Sequence, residues 1–272
     1  MLQFTYRPQS PSTRRERIGS VPTWAPYDPI ENRPPLGSRV QLGKNMSGKI
    51  VRHFMEGITM PDSGVIPIRD WRIRLQGGAE VAGAFAALPF DHLVFTGSTA
   101  VGRKVMAAAA PNLTPLTLEL GGKSPAIVCD DFPVEQAAAR LATGKWFNGG
   151  QTCIAPDYVL VPAAKLDALV AALRVHVHAR YGAALSNLDD YTRIVNDGQY
   201  ARLQGYLDDA RARGIDVVTL AGAADPAQRL LPPTLLLDPG DDAKVMQDEI
   251  FGPLLPLKSY RTLDEAITYI NA

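Results

Sequence analysis

The pattern that most constrains this chain is an alternation of two kinds of segment. From residue 76 onward, apolar runs of four or five residues alternate with longer stretches that carry small and apolar side chains at helical spacing. Strands are expected at 92–95, 116–120, 126–129, 158–161, 216–220 and 234–237. Helices are expected at 79–88, 101–110, 134–147, 165–181, 191–213 and 264–271. Short strands alternating with helices of this length imply an α/β fold on a largely parallel sheet.

The first 75 residues do not follow that pattern. They hold 12 basic residues against 6 acidic ones, 9 of the 22 prolines and a single alanine, Ala25. The remainder holds 34 alanines and an excess of acidic side chains. The whole chain has 28 Lys plus Arg and 28 Asp plus Glu, so its zero net charge is the sum of a +6 piece and a −6 piece. Zero net charge argues against nucleic-acid binding through bulk positive charge. The stretch 66–75 alternates like a strand, but no long helical period precedes residue 78. Two readings of residues 1–75 stand: a partly disordered Pro/Arg-rich leader, or a segment foreign to the domain that follows.

No apolar run approaches the roughly 20 residues needed to span a bilayer, and the first residues lack the apolar core of a secretory signal. The two cysteines, Cys129 and Cys153, are too few for a disulfide framework. A reducing, cytoplasmic location is expected.

Three segments carry candidate chemistry. In Phe95-Thr96-Gly97-Ser98-Thr99-Ala100-Val101-Gly102 a strand ends, a turn follows and a helix begins. Free N–H groups at a helix start attract an anion, Gly97 permits close approach, and Ser98 can donate to a phosphate. The same residues also suit an ordinary turn with Ser98 or Thr99 as cap. In Leu118-Glu119-Leu120-Gly121-Gly122-Lys123-Ser124-Pro125 a glutamate interrupts an apolar strand. Glu119 is either exposed on an edge strand or a general base in a cleft, its pKa raised by desolvation. In Asn148-Gly149-Gly150-Gln151-Thr152-Cys153 a thiol sits in a glycine-rich loop after a long helix. A thiolate there would be a nucleophile, whereas Cys129, in an Ala-Ile-Val-Cys run, suits a small apolar plug. His176 and His178 point to different faces of their helix, and His53 and His92 lie elsewhere, so neither a metal site nor a Cys–His hydrolase is expected.

These segments, followed by Asp248-Glu249-Ile250-Phe251-Gly252-Pro253, stand in the order and spacing of the NAD(P)-dependent aldehyde dehydrogenases. The chain resembles that family from about residue 76 to residue 272. The text Cys153-Ile154-Ala155-Pro156-Asp157-Tyr158 is similar to the class 3 and coniferyl aldehyde dehydrogenase branch. The resemblance implies a partial fold of the family. Residues 76–118 would be the end of a Rossmann-like cofactor domain and residues 119–272 most of an α/β catalytic domain, with residues 1–75 unmatched. It implies Cys153 as nucleophile, Glu119 as general base, and Gly97 and Ser98 at the cofactor pyrophosphate. It further implies Glu249 on the nicotinamide ribose and Phe251 beside the nicotinamide. The implied reaction oxidises an aromatic or medium-chain aldehyde, coniferyl aldehyde-like, to its acid through a thiohemiacetal and a thioester on Cys153. The implied cofactor is NAD or NADP, with NAD favoured. The implied partners are a small aldehyde and, for full-length members, a second copy of the chain, but neither nucleic acid nor a membrane.

Members of the family also carry a Pro-Trp-Asn segment that completes the oxyanion hole and a Lys-Pro-x-Glu segment at the adenosine ribose. Neither occurs in residues 1–75. The expectation is a chain truncated at both ends, its first 75 residues arising from a frameshift, a rearrangement or a mis-assigned start. An inactive remnant that keeps the thiol loop without binding cofactor is the alternative.

Overall fold

The computed structural model of the chain describes residues 4–6, 39–43, 46–60, 64–74, 78–185 and 189–272. The chain divides into two compact units, Met1–Leu120 and Gly121–Ala272.

Among the described residues the first unit opens with strands β1 (Phe4–Tyr6), β2 (Arg39–Gly43), β3 (Met46–Met60) and β4 (Gly64–Arg74). They pair antiparallel in the order β1-β4-β3-β2. The alternating stretch at 66–75 lies almost wholly in β4, with Ile66 opposite Ile58 and Trp71 opposite His53. Beyond them come α1 (Ala79–Ala86), β5 (Leu93–Gly97), α2 (Thr99–Ala109) and β6 (Leu116–Leu120). Strands β5 and β6 run parallel, with Leu93 opposite Leu116 and Gly97 opposite Leu120. Phe85, Leu93, Phe95, Val105 and Ala109 form a small buried cluster, and Leu116, Leu118 and Leu120 pack against it.

The second unit contains β7 (Pro125–Ile127), α3 (Val134–Trp146), β8 (Tyr158–Pro162), α4 (Leu166–Tyr181) and α5 (Asp197–Ala212). It continues through β9 (Asp216–Thr219), β10 (Thr234–Leu237), α6 (Lys244–Gln247), β11 (Leu254–Tyr260) and α7 (Leu263–Asn271). Its five strands form one sheet in the order β7-β8-β11-β10-β9. The first four of these run parallel, and β9 closes the edge antiparallel to β10.

A strand flanked on both sides and covered on both faces must be apolar throughout. Strand β8, Tyr-Val-Leu-Val-Pro, is buried at every position. Its alternate side chains feed two cores. Val159 and Val161, with Leu235, Leu255 and Leu257, meet Leu141 of α3 and Leu169, Leu173 and Val177 of α4. Tyr158 and Leu160, with Leu236 and Leu254, meet Leu203 and Leu207 of α5 and Ala266 of α7. The unit is therefore a three-layer α/β sandwich, with helices on both faces of a mostly parallel sheet.

Two features depart from the sequence pattern. The helix expected from residue 191 begins only at Asp197, where Asn196 Oδ1 accepts from the Gln199 N–H at 2.9 Å. Residues ahead of that cap are drawn into other contacts: the Tyr191 hydroxyl donates to Leu231 O at 2.8 Å, and the Val195 N–H donates to Gln151 Oε1 at 2.9 Å. Strand β11 is the second departure. Pro256 sits in its middle, which argues against a central strand, yet it lies opposite Leu236 in the parallel ladder. Among the described residues no helix is long and apolar enough to cross a membrane.

Candidate active site

Helix α3 ends at Trp146, and the chain then turns through three consecutive residues in the left-handed region. They are Asn148 (φ 53°), Gly149 (φ 61°) and Gly150 (φ 74°). Glycine bears this conformation without penalty, and asparagine with a small one. At Gly150 there is a steric reason as well, because a Cβ would lie 2.2 Å from the Gly252 carbonyl oxygen. Gln151, buried, locks the turn. Its Nε2 donates to Asn148 O and to Arg193 O, both at 3.1 Å, and its Oε1 accepts from the Val195 N–H. Asn148 Nδ2 donates back to Gln151 O at 3.1 Å. Cys153 follows, exposed and with a free thiol, whereas Cys129 is half-buried. Phe147 is 68% exposed and Ile154 85% exposed, one on each side of the thiol in the sequence.

A second set of contacts holds residues 248–253 beside this loop. Lys123 and Asp157 form an ion pair. Lys123 Nζ also donates to Val245 O at 2.8 Å and to Asp248 O at 3.1 Å. Asp157 Oδ1 accepts from the Ile250 N–H at 2.8 Å. Arg202 donates through Nη1 to Glu249 O at 3.2 Å and through Nη2 to Ile250 O at 2.7 Å. Trp146 Nε1 donates to Pro253 O at 3.0 Å. Asp157 is 3% exposed, and a carboxylate so buried needs this pairing. Between these anchors Phe251 is held at φ 44°, a conformation that a bulky residue keeps only where its surroundings impose it.

The Glu249 carboxylate is half-buried and lies against the two glycines at the start of the unit. A Cβ on Gly121 would sit 1.7 Å from its Oε2. Burial pushes the Glu249 carboxyl above the usual carboxylate range, and the Asp157 charge adds to this. The Gly122 N–H, Arg202 and Lys145 pull the other way. Lys145 lies in the last turn of α3 and is fully buried, and its Nζ has no hydrogen-bond partner. Burial brings its ammonium down to about 8; Asp157 opposes that shift, Lys123 adds to it and Glu249 opposes it.

The remaining expected site residues belong to the first unit. Ser98 is the N-cap of α2, and its Oγ accepts from the Val101 N–H at 3.4 Å, so the capping reading of this turn is realised. The N–H groups of Thr99 and Ala100, like those at any helix start, look outside the helix for acceptors. Gly97 closes β5, and a Cβ there would lie 2.6 Å from the Phe95 ring, so its small size serves packing. Glu119 is exposed. Of the two readings of this segment, the exposed position on the strand is the one realised. Leu118 and Leu120 turn toward the cluster around Phe95, and strand alternation puts Glu119 on the opposite face.

Sequence pattern alone assigns no role to Lys123, Lys145, Gln151, Asp157 or Arg202. One signal for Lys145 does exist. Ala138, Leu141, Ala142 and Lys145 fall on a single helical stripe, and all four are buried. A lysine on the apolar stripe of an amphipathic helix marks a buried charge.

Comparison with known proteins adds a family. The profile of the aldehyde dehydrogenase family matches residues 73–272. The probable coniferyl aldehyde dehydrogenase of Pseudomonas aeruginosa is 44% identical over 282 aligned positions, which cover 99% of this chain and 56% of that protein. Its counterpart in Caulobacter vibrioides is 52% identical over 200 positions, 72% of this chain and 41% of that protein. Among solved structures, the substrate-bound state of Staphylococcus aureus AldH superposes with a TM-score of 0.68 at 43% identity, over 72% of this chain and 42% of that one. The chain spans about half the length of the curated relatives it matches.

Proposed function

Because the chain belongs to the aldehyde dehydrogenase family, we propose that it oxidises an aromatic or medium-chain aldehyde, coniferyl aldehyde-like, to the carboxylic acid with a nicotinamide dinucleotide. The observation that carries this reading is the Cys153 thiol, free and exposed at the end of a turn that buried Gln151 pins in place. Exposed Phe147 and Ile154 next to the loop suit an apolar or aryl substituent.

The residues present fit the cofactor in two places. The start of α2, with Ser98 as its cap and Gly97 before it, suits a pyrophosphate. The half-buried Glu249 carboxylate suits a ribose diol, and Phe251 would lie beside the nicotinamide. When bound, the dinucleotide supplies the two-electron acceptor. The proposal is NAD in preference to NADP. One solved relative, AldC of Pseudomonas syringae, is complexed with NAD+, and a glyceraldehyde-3-phosphate dehydrogenase of Bacillus halodurans with NADP.

The chain's own residues then act in sequence. The Cys153 thiolate attacks the aldehyde carbon; a C–S bond forms, and the carbonyl π pair moves to oxygen to give a thiohemiacetal. After two-electron oxidation Cys153 carries the acyl group as a thioester. Glu119 takes a proton from a water molecule, the hydroxyl adds to the thioester carbonyl, and the acid leaves with Cys153 restored. Two free cysteines suit a reducing, cytoplasmic setting.

The test is direct. Purified chain is mixed with coniferyl aldehyde and either NAD or NADP, and the absorbance of the reduced nicotinamide is followed. The expected result is aldehyde-dependent reduction that Cys153→Ala abolishes. A folded chain that gives no reduction, or activity that survives Cys153→Ala, overturns the proposal.

A further inference from the structure

We infer that Arg202 is a positioning residue for Phe251: its guanidinium, forked across the main-chain carbonyls of Glu249 and Ile250, imposes the left-handed backbone that sets the direction of the Phe251 ring. The inference deepens the reading of Phe251 as a cofactor contact and rests on it for its functional meaning.

Phe251 carries φ 44°, which for a bulky residue persists only where neighbours over-determine it. That angle is the rotation of the planar Ile250–Phe251 peptide about the N–Cα bond of residue 251, so a group that fixes this plane fixes the angle. Ile250 O lies in the plane and accepts from Arg202 Nη2 at 2.7 Å. The preceding peptide plane is held at both ends. Glu249 O accepts from Arg202 Nη1 at 3.2 Å, and the Ile250 N–H donates to Asp157 Oδ1 at 2.8 Å. Downstream the chain has no room to follow a rotation. A Cβ on Gly252 would lie 2.6 Å from the Leu203 side chain, and Gly252 O lies 2.2 Å from where a Gly150 Cβ would stand. Pro253 O accepts from Trp146 Nε1 at 3.0 Å and from the Thr234 N–H at 3.1 Å. Phe251 thus joins two fixed ends, and Arg202 holds the upstream one through two of its nitrogens.

The guanidinium is itself held. Its Nε donates to Gln199 Oε1 at 2.8 Å, and Nη1 donates to the Tyr206 hydroxyl at 3.0 Å. It also lies over the Tyr206 ring, 5.2 Å from the centroid. Gln199, Arg202 and Tyr206 share one face of α5, so two contacts run into the helix and two into the segment. Only a planar fork offers paired donors in this way; a lysine ammonium is a point charge. A bracket that served stability alone would let residue 251 settle in a favoured backbone region. This one holds it in a disfavoured region, which is the mark of a segment set for a ligand.

The experiment uses the full chain, with neither cofactor nor aldehyde present. A crystal structure of Arg202→Met is expected to show Phe251 at negative φ, and a Phe251 that keeps φ near 44° in that variant overturns the inference. If Arg202→Met does not fold, Arg202→Lys decides by NMR. Residues 250–251 are the one Ile-Phe pair in the sequence, so 13C-carbonyl isoleucine with 15N-phenylalanine yields a single amide cross-peak for this peptide. One ammonium cannot hold both carbonyls, so the peak is expected to split or broaden in Arg202→Lys, and a single sharp peak at the wild-type position overturns the inference. Alkylation of Cys153 by iodoacetamide, followed by mass spectrometry, is expected to keep its wild-type rate in either variant. A rate that changes together with Phe251 would mean general loosening and would overturn the positioning role. NAD affinity is expected to fall about tenfold in Arg202→Met, and wild-type affinity beside a displaced Phe251 overturns that role equally. Because the Phe251 backbone is read without cofactor, its failure leaves aldehyde oxidation untouched, and a chain without dehydrogenase activity leaves the backbone result to stand.

Discussion

The Glu249 carboxylate occupies the space that a side chain on residue 121 would fill: a Cβ on Gly121 would lie 1.7 Å from Oε2 and 2.2 Å from Cδ. Gly121→Ala therefore forces the carboxylate out of its place. Loss of a charge-assisted contact to the cofactor from that carboxylate is expected to weaken dinucleotide affinity at least ~tenfold. Isothermal titration of the variant with NAD checks it, and wild-type affinity would remove Glu249 from the proposed site.

Gln151 is the peg of the thiol loop. Gln151→Ala strands Arg193 O and the Val195 N–H and removes a contact inside the turn. The expected cost is about 2–3 kcal/mol, read as a lower urea midpoint with an unchanged m-value. Cys153 in the variant should also react more heterogeneously with a thiol reagent, as the loop samples several positions.

Lys145 gives a pH dependence with a definite sign. Its ammonium titrates at about 8 in the folded chain, against its usual 10.5. Between those values the unfolded chain holds a proton that the folded chain has released, so this group makes stability rise with pH across that window. Below about 8 both states are protonated, and the buried ammonium costs about 3 kcal/mol. Lys145→Met is expected to be more stable than wild type at neutral pH by up to that amount. Its advantage should shrink as the pH climbs toward 10.5. Urea denaturation across that range measures the difference, and a variant less stable than wild type at neutral pH would contradict it.

Lys123 and Asp157 should behave as one unit. Asp157→Asn leaves the Lys123 ammonium among the Val245 and Asp248 carbonyls without its counter-charge, at an expected cost of about 3 kcal/mol. Adding Lys123→Met to that variant is expected to cost less than Lys123→Met alone, with a coupling of about 1–3 kcal/mol in a double-mutant cycle. Additive losses would mean that the pair is not coupled.

Most of the layering was legible from periodicity. The apolar runs that became β6, β8 and β10 are short and dense, and no other element accommodates them between helices. Strand β11 was hidden by Pro256, because a proline in a central ladder violates the usual edge-strand rule. The late start of α5 was hidden because its determinants are distant in sequence: residues near 193–195 are claimed by Gln151. At the site, the thiol, the glycines and the glutamates stood out as residue types in unusual company. The supporting set of Lys123, Asp157 and Arg202 did not, because its meaning lies in pairings across long stretches of chain. Glu119 was open between an exposed edge-strand position and a cleft, and strand alternation puts it on the exposed face.

The anchors around residues 248–253 also set a timetable. Lys123 reaches Asp248 across 125 positions, and Trp146 reaches Pro253 across 107. On a ribosome adding about 5–20 residues per second, the Cys153 loop emerges on the order of ten seconds before the segment that braces it. During that interval the nascent thiol loop stands without the contacts that brace it in the finished chain.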